Sequence, residues 1–263
     1  MRLQGKTAVV VGAGQTPGVT IGNGRAIALL FAREGAQVLC IDRDGARGEE
    51  TAALIAAEGG RATALAADIV KPGAAQAIIE AATARMGGID ILVNNVGIGG
   101  GGDAPAHVIE EAAFDRVMTV NLKAMWLTTK AAIPAMRARG GGAIVNISSL
   151  ASIAGANMLA YELSKAGVNR LTTHVAQANA KHGIRCNAIL PGLMDTPMAM
   201  AATVRGQREE GLRDLRNSRV PLGGKMGTAW DTAHAALFLS SDEARFITGV
   251  LLPVDGGMSS RIG

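Results

Sequence analysis

The feature that most constrains the fold is the order of patterns at the start of the chain. A β-branched apolar run at 7–11 leads into a glycine-rich stretch, which is followed by a helical pattern at 25–32 and by a second apolar run that stops at Asp42. A short run that is apolar on both faces is typical of a central strand in a parallel sheet. The order strand, glycine loop, helix, strand and acid is typical of a dinucleotide-binding unit.

The glycine loop offers two registers for holding a pyrophosphate. Its glycines are Gly12, Gly14, Gly18, Gly22 and Gly24. The favoured register uses Gly12 and then the cluster Gly22, Asn23 and Gly24, whose backbone lies next to the N-terminal N–H groups of the helix. The alternative uses Gly14 and Gly18. It would bury the two later glycines inside a helix, at about 1 kcal/mol each.

Asp42 indicates which cofactor is bound. It lies 18 residues beyond Gly24, close to the spacing expected for an acid that accepts hydrogen bonds from the adenosine ribose. A carboxylate there would repel a 2′-phosphate, so we expect NAD, with NADP as the less favoured cofactor. Arg43 is the counter-argument, because an arginine can bind that phosphate. The alternative reading of Asp42 is an ordinary turn acid.

Strand and helix patterns alternate along the whole chain, with about seven strands. This predicts an α/β fold with a single doubly wound, Rossmann-type domain over residues 1–263, built on a seven-stranded parallel sheet with helices on both faces. Polar motifs follow the strands, where open α/β sheets bind their ligands. Two of these motifs are Asp68-Ile69 and 94–97. We expect Asp68 either to reach an adenine ring or to cap a helix.

Composition and charge argue against several classes of function. A hydrophobic content of 48% and a charged content of 18% indicate a folded globular protein. The net charge of +4 is scattered, and no basic patch is interleaved with aromatic residues, so we expect no nucleic-acid partner. The N-terminus has no apolar signal core, and no apolar run of ~18 residues follows, so we expect no membrane partner.

The cysteines and histidines carry no metal or disulfide pattern. Cys40 and Cys186 each lie in an apolar run, which argues against a disulfide framework and fits a reducing cytosol. We therefore expect a cytoplasmic protein. The four histidines are far apart in the sequence and lack metal-ligand spacing, so we expect no metal site.

A second group of motifs indicates acid–base chemistry. Ser148 and Ser149 end an apolar run, and Tyr161 and Lys165 follow, four residues apart. On a helix this spacing places the phenol and the ammonium on one face. A nearby ammonium favours the phenolate and lowers the pKa of the phenol. The alternative reading is a tyrosine and a lysine on an ordinary amphipathic helix.

Taken together, these motifs resemble the classical short-chain dehydrogenase/reductase family over roughly residues 6–257. The resemblance is carried by Gly12, Gly22-x-Gly24, Asp42, Asp68, Asn94-Asn95-Val96-Gly97, Asn121, Asn146-Ile147-Ser148-Ser149, Tyr161-x-x-x-Lys165, Pro191-Gly192, Thr196 and Val254-Asp255-Gly256-Gly257. Each motif alone is modest, but all of them in this order are highly specific.

The resemblance implies a role for each matching residue. Tyr161 would be the catalytic acid and base, Lys165 would lower its pKa and hold the nicotinamide ribose, and Ser149 would bind the substrate oxygen. Asn121 would mark a helix kink that anchors a proton-relay water. Tyr161 and Lys165 would also contact the cofactor. The remaining cofactor contacts would come from the strand-end motifs and from the segment that holds the nicotinamide carboxamide: Asp68, Ile69, Asn95, Gly97, Leu193 and Thr196.

The sequence departs from the family pattern in four places. Gln15–Thr20 looks like an insertion of about six residues in the glycine loop, Val11 replaces the usual Thr, and Val96 replaces the usual Ala. In the fourth, Ser149 precedes Tyr161 by 12 residues, where the family commonly shows 13. Only one of two successive strand residues can face the substrate, and aligning the strand without a gap favours Ser149 over Ser148.

The implied reaction is hydride transfer between a nicotinamide and a secondary alcohol or ketone. The stretch of about 197–220 looks like a substrate lid, and its arginines are Arg205, Arg208, Arg213, Arg216 and Arg219. These arginines either meet an anionic substrate or lie on a solvated, mixed-charge helix. An NADPH-dependent 3-ketoacyl-carrier reductase and a non-catalytic dinucleotide-binding module are the alternatives. The resemblance also implies a homotetramer.

Overall fold

A computed structural model describes residues 1–201 and 209–260. In this part of the chain, seven strands form one parallel sheet in the order β3-β2-β1-β4-β5-β6-β9. The strands are β1 (Thr7–Val11), β2 (Gln37–Asp42), β3 (Arg61–Ala66), β4 (Ile91–Asn94), β5 (Gly142–Ile147), β6 (Ile184–Pro191), β7 (Met194–Asp195), β8 (Gly227–Thr228) and β9 (Leu251–Val254). Strands β7 and β8 pair separately. The predicted doubly wound parallel sheet is confirmed.

Helices cover both faces of the sheet. They are α1 (Asn23–Arg33), α2 (Gly45–Ala57), α3 (Ala74–Met86), α4 (Glu111–Met118), α5 (Ala124–Ala138), α6 (Leu159–Asn179), α7 (Pro197–Ala201), α8 (Glu209–Asn217) and α9 (Ala229–Ser240). Helices α4 and α5 are joined by a π-helical turn, Thr119–Lys123. The part of the predicted lid at 202–208, with Arg205 and Arg208, lies outside the described residues.

The core follows from the alternation of side chains along the central strands. In β1, Ala8 and Val10 pack toward α1 and α9, whereas Val9 and Val11 pack toward α3, α5 and α6. All four are at most 1% exposed. Burying a Val side chain stabilises a fold by about 1.5 to 3 kcal/mol relative to leaving it exposed. A strand that is apolar on both sides can therefore only lie between two helical layers.

The described part of the chain has neither a membrane-spanning helix nor a cluster of metal-binding side chains. Across residues 1–201 and 209–260, no helix is long and apolar enough to cross a membrane. The same ranges contain no group of three or more His, Cys, Asp or Glu side chains placed to hold a metal ion. Cys40 and Cys186 are buried and free, and burial raises the pKa of each thiol to about 12.

Candidate active site at the carboxyl edge of the sheet

The candidate site lies where the strand order reverses. Strands β2 and β3 extend to one side of β1, and β4, β5, β6 and β9 extend to the other. The carboxyl ends of β1 and β4 are therefore followed by chains that leave in opposite directions. A crevice opens there, and this switch point is where open α/β sheets bind ligands. The glycine loop follows β1, and the two serines follow β5.

The glycine loop is pressed against the start of α1. A Cβ on Gly24 would lie 1.8 Å from the carbonyl oxygen of Gly12, which no structure tolerates, and Gly12 itself has φ +87°. The side-chain amide of Asn95 donates to the same carbonyl oxygen at 2.9 Å. Helix α1 begins at Asn23 rather than at the predicted position 25, so Gly24 lies in its first turn. Because any side chain at position 24 would clash with Gly12, a glycine stands there despite its low helix propensity.

The N-terminus of α1 fits a phosphate and a ribose. Gly22, the N-cap, provides no side-chain cap. The first turn therefore keeps backbone N–H groups that can donate hydrogen bonds to an anion. The side-chain oxygen of Asn23 is buried without a hydrogen-bond partner among the described residues. An unpaired buried acceptor costs about 1 to 3 kcal/mol unless a ligand donates to it, and a ribose hydroxyl could do so.

The segment Gln15–Thr20, which we expect to be an insertion, is folded back onto the glycine loop. The Gln15 side chain donates to the carbonyl oxygen of Thr20 at 3.2 Å and accepts from the N–H of Gly22 at 3.0 Å. A Cβ on Gly18 would lie 2.9 Å from the Pro197 Cβ, so the insertion touches the start of α7. The insertion therefore bridges the glycine loop and the beginning of the predicted lid.

Asp42 ends β2 beside this loop. One carboxylate oxygen accepts from the N–H of Gly14 at 3.0 Å, and the other accepts from the N–H of Asp44 at 3.0 Å. Each oxygen keeps a further lone pair for a hydroxyl donor. Arg43 is exposed. The structure therefore places the acid, rather than the arginine, against the glycine loop.

Asp68 and Ile69 lie at the end of β3. The Asp68 carboxylate accepts from the N–H of Val70 at 3.3 Å and so closes a local turn. The N-cap of α3 is Gly73, so Asp68 does not cap that helix, and the helix-cap alternative is wrong. Ile69 is 7% exposed and packs in the core between the sheet and α3.

The two serines after β5 have separate environments. The hydroxyl of Ser148 is buried and donates to the backbone carbonyl of Lys165 at 3.1 Å. The side chain of Ser149 hydrogen-bonds the phenol of Tyr161 and also accepts from the N–H of Ala151 at 3.1 Å. Ser149 is therefore the serine that the structure brings to the tyrosine.

Lys165 is buried next to the tyrosine. Its ammonium donates to the carbonyl oxygen of Ile147 at 2.8 Å and lies 5.7 Å from the centre of the Tyr161 ring. A Cβ on Gly97 would approach the same nitrogen at 3.2 Å. Burial lowers the pKa of Lys165 to about 8. The lysine, the tyrosine and the turn after β4 thus meet in one place.

The expected acidic phenol is not what the structure gives. Burial raises the pKa of Tyr161, and the hydrogen bond from Ser149 only partly opposes that shift. Removing a phenol from water disfavours its charged form. The ammonium is engaged by a backbone carbonyl. The expected direction of the Tyr161 pKa is therefore wrong: burial of the phenol outweighs any lowering by its neighbours.

Asn121 lies at the π-helical turn, where the sequence placed a kink. Its side-chain oxygen accepts from the N–H of Ile98 at 2.8 Å. Its amide donates to the carbonyl of Ile98 at 2.9 Å and to the Ser164 hydroxyl at 3.1 Å. A π turn is common at functional sites because it displaces backbone groups from the regular helical ladder. Here it lets one side chain hold the segment after β4.

Leu193 and Thr196 flank the short strand β7. The carbonyl oxygen of Leu193 accepts from the N–H of Gly227 at 3.1 Å, which ties this segment to the start of β8. Thr196 is buried, and its hydroxyl accepts from the N–H of Ala199 at 3.4 Å, in the first turn of α7. The two residues therefore position the junction between the sheet and the lid.

The arginines of α8 that the structure describes differ in their surroundings. Arg213 forms an ion pair with Asp195. Arg216 is half-buried, and burial lowers its pKa; its Nε donates to the sulfur of Met226 at 3.4 Å. Arg219 is exposed. Arg216 is therefore partly shielded from solvent, whereas Arg219 is not.

A buried polar network supports the site from below. The Asn94 amide donates to the side-chain oxygen of Asn146 at 2.9 Å, which joins the ends of β4 and β5. Asn94 also accepts from Thr128 of α5 at 2.7 Å, and Asn146 donates to Thr172 of α6 at 2.9 Å. Both asparagines belong to the motifs that carry the family resemblance, but the resemblance does not predict their pairing. Their positions at the ends of adjacent strands were the available signal.

Sequence reasoning missed Asp103. Its two carboxylate oxygens accept from the backbone N–H groups of Ala160 and Tyr161, at 3.0 and 2.8 Å. The residue follows the four-glycine run Gly99–Gly102. An acid directly after a run of four glycines, ahead of a helix that bears the tyrosine, is the only signal in the sequence.

Comparisons with known proteins agree with this geometry. Residues 18–259 match the family model described as Enoyl-(Acyl carrier protein) reductase. The chain is 35% identical over 260 residues to 2-(S)-hydroxypropyl-CoM dehydrogenase 3 of Xanthobacter autotrophicus, covering 98% of both chains. It is 36% identical over 268 residues to (3R)-3-hydroxyacyl-CoA dehydrogenase of Mus musculus, also covering 98% of both.

A solved structure shares the fold almost completely. A crystal structure from Burkholderia xenovorans, assigned to the short-chain dehydrogenases/reductases, superposes with a TM-score of 0.94 at 42% identity, covering 100% of this chain and 99% of that one. The family resemblance inferred from the motifs is confirmed. The chain belongs to the short-chain dehydrogenase/reductase family, whose named members among its relatives are dehydrogenases acting on CH–OH groups.

Proposed function

We propose that the protein is an NAD-dependent oxidoreductase that interconverts a secondary alcohol and a ketone. The observation that carries the proposal is the meeting of Ser149, Tyr161 and Lys165 at the edge of the sheet that also holds the glycine loop. One site then contains a hydroxyl hydrogen-bonded to a phenol, a buried ammonium and an open helix N-terminus. This combination suits proton transfer beside a dinucleotide.

The dinucleotide would be held by residues along the edge of the sheet. The loop Gly12 to Gly24 and the N-terminus of α1 would receive the pyrophosphate, because bare backbone and free N–H groups lie there. Asp42 would accept the adenosine ribose hydroxyls. Within that loop the contacts include Gly22 and Asn23. The other proposed contacts, further along the same edge, are Asp68, Ile69, Asn95, Gly97, Tyr161, Lys165, Leu193 and Thr196.

The protein's own residues would handle the proton. A bound nicotinamide supplies the site that accepts or gives hydride. Tyr161 would take the alcohol proton during oxidation and return it during reduction. Ser149 would hold the substrate oxygen as charge develops on it. Lys165, charged below about pH 8, would stabilise the phenolate and bind the ribose. Asn121 would keep the segment after β4 in place and mark the path of a relay water.

NAD is favoured over NADP because of the position of Asp42. Its carboxylate lies against Gly14, where a 2′-phosphate would bring further negative charge. The test is turnover of a panel of secondary alcohols and ketones with NAD(H) and with NADP(H), followed at the absorbance of the reduced nicotinamide. We expect kcat/KM at least ~10-fold higher with NAD(H). A preference for NADPH with acyl carriers would support the ketoacyl-carrier reductase instead.

We further propose that the substrate carries an anionic group, which Arg216 receives. Arg216 is half-buried on α8, beside the short strands that follow β6. One relative is named (3R)-3-hydroxyacyl-CoA dehydrogenase, and coenzyme A carries phosphate groups. For an anionic ketone, Arg216→Met should raise KM about 10-fold, whereas the exposed Arg219→Met should not. An equal effect on a neutral ketone of similar size would contradict the proposal.

The assembly and location proposed are a homotetramer in the cytoplasm. Trp126 on α5 and Leu163 on α6 are 44% and 46% exposed, and Phe246, shortly before β9, is 100% exposed. Large apolar side chains on outer helices and at a sheet edge are suited to contacts between copies of the chain. Two buried free thiols are consistent with a reducing compartment.

The experiment that tests the acid–base role is Tyr161→Phe. The variant keeps the ring and loses the hydroxyl, so NAD binding should stay within about 2-fold. Turnover should fall by about 100-fold or more, because general acid–base catalysis contributes 10²- to 10⁴-fold. Binding is measured by fluorescence titration with NADH and turnover by absorbance. A variant that turned over like the wild type would refute the role of the phenol.

A further inference from the structure

We propose that Asp103 is a positioning residue for Tyr161, which fixes the phenol by holding the backbone of its helix. The inference rests on the proposed function, because it assigns Tyr161 the proton transfer. The carboxylate accepts from the N–H of Ala160 at 3.0 Å and from the N–H of Tyr161 itself at 2.8 Å. It thus grips the residue whose side chain is proposed to react.

Helix α6 lacks a cap from its own flanking residue. It begins at Leu159, and the N-cap Met158 offers no side-chain hydrogen bond. The first N–H groups of a helix have no partner within the helix. A carboxylate is the favoured acceptor there, because it forms charge-assisted bonds and lies at the positive end of the helix dipole. Asp103 supplies this cap from 57 residues away.

The segment before Asp103 is tied at several points. Asn121 binds both the N–H and the carbonyl of Ile98. The Arg116 guanidinium donates to the carbonyl of Gly101. The N–H of Leu159 donates to the carbonyl of Ala104 at 3.3 Å. The segment after β4 is therefore fixed from outside α6 at Ile98 and at Gly101, and Ala104 adds a second contact to the start of α6 beside that of Asp103.

The same segment passes against the tyrosine ring. A Cβ on Gly99 would lie 3.5 Å from the ring carbon Cδ2 of Tyr161. Tyr161 is then held at two places, by Asp103 at its backbone N–H and by Ser149 at its hydroxyl, and the missing side chain of Gly99 leaves room for its ring. Displacing a reacting group by about 1 Å can reduce a rate about 100-fold. Losing the backbone contact should therefore reduce turnover without removing any reacting atom.

The test compares Asp103→Ala and Asp103→Asn with Asp90→Ala. Asp90 also accepts a backbone N–H, that of Thr7 at 2.8 Å, but at the opposite edge of the sheet, where it pairs with Arg139. We expect Asp103→Ala to lower kcat at least ~10-fold, with the Kd for NADH within ~2-fold. Asp103→Asn, which keeps one acceptor oxygen, should recover part of kcat. Asp90→Ala should lower Tm and leave kcat within ~2-fold.

Two results would overturn the inference. One is a wild-type kcat in Asp103→Ala. The other is that Asp90→Ala loses as much kcat as Asp103→Ala when the two variants lose the same Tm, which would show a general effect of destabilisation. If the wild type turned over no substrate, the proposed function would fail, but amide exchange would still test the positioning. Peptides covering 159–165 must then exchange faster in Asp103→Ala than in Asp90→Ala, and equal rates would reject it.

Discussion

At the scale of single residues, the environment of a side chain decides its chemistry more than its neighbours in sequence do. Ser148 and Ser149 are adjacent, yet one is bonded to the backbone of α6 and the other to the Tyr161 phenol. Tyr161 and Lys165 are four residues apart and meet as their spacing predicts. Burial raises the pKa of Tyr161 and lowers the pKa of Lys165, so it favours the uncharged form of each. Spacing predicted which groups meet, and desolvation set their charge.

The two serines provide a matched pair of variants. Ser149→Ala should lower turnover by about 100-fold, because a hydrogen bond to the developing oxyanion is lost. Ser148→Ala should leave turnover within a few-fold and cost about 1 kcal/mol of stability, because it removes a buried hydrogen bond to the Lys165 carbonyl. Steady-state kinetics and urea unfolding measure the two effects. The opposite pattern would show that Ser148 is the reacting serine.

Lys165 makes stability depend on pH in a direction that can be derived. Its pKa falls from 10.5 in the unfolded chain to about 8 in the folded protein, so between these values the unfolded state binds more protons. Stability then rises with pH across that window. Relative to Lys165→Met, the wild type should gain about 3 kcal/mol of unfolding free energy from pH 7.5 to 10.5. Urea unfolding at both pH values measures the difference, and a constant difference would contradict the lowered pKa.

At the scale of elements, local patterns predicted what local forces determine. The apolar run 7–11 became β1 because it is buried on both faces, and the run ending in the serines became β5. Helix α1 begins two residues before the predicted position 25. It includes Gly24, a poor helix former, because only a glycine fits against Gly12 there. The cap of α6 by Asp103 could not be predicted, because it joins residues 57 apart through the tertiary fold.

The close approach of the glycine loop to α1 can be tested by substitutions at Gly24 and at Gly22, two residues apart. Gly24→Ala would place a methyl group 1.8 Å from the Gly12 carbonyl, so α1 must move. We expect it to destabilise the protein by about 2 kcal/mol or more and to weaken NADH binding at least ~10-fold. A Cβ on Gly22 has no atom within 4 Å, so Gly22→Ala should leave Tm nearly unchanged. Equal losses of Tm would show that the close approach is not real.

At the scale of the whole molecule, the arrangement of surface and core bears on assembly. Helix α5 contributes Ala132 and Met136 to the core, while Trp126 on the same helix remains 44% exposed, with Lys130 stacked 5.6 Å from its ring. Leu163 of α6 is similarly exposed. These exposed side chains of α5 and α6, which we call the apolar strip, are suited to contact with another surface. A second copy of the chain fits this requirement, since an isologous contact pairs the same strip with itself.

The proposed tetramer predicts a mass and a way to change it. Four chains of 26.8 kDa give about 107 kDa, which light scattering coupled to size exclusion measures directly. Trp126→Glu places a charge in the apolar strip and should produce a smaller species, because an unpaired charge buried at an interface is strongly disfavoured. The control is Leu54→Glu on α2, where the leucine is 41% exposed away from the strip. It should leave the mass unchanged. A Trp126→Glu protein that kept the wild-type mass would place the interface elsewhere, and a wild-type monomer would reject the assembly.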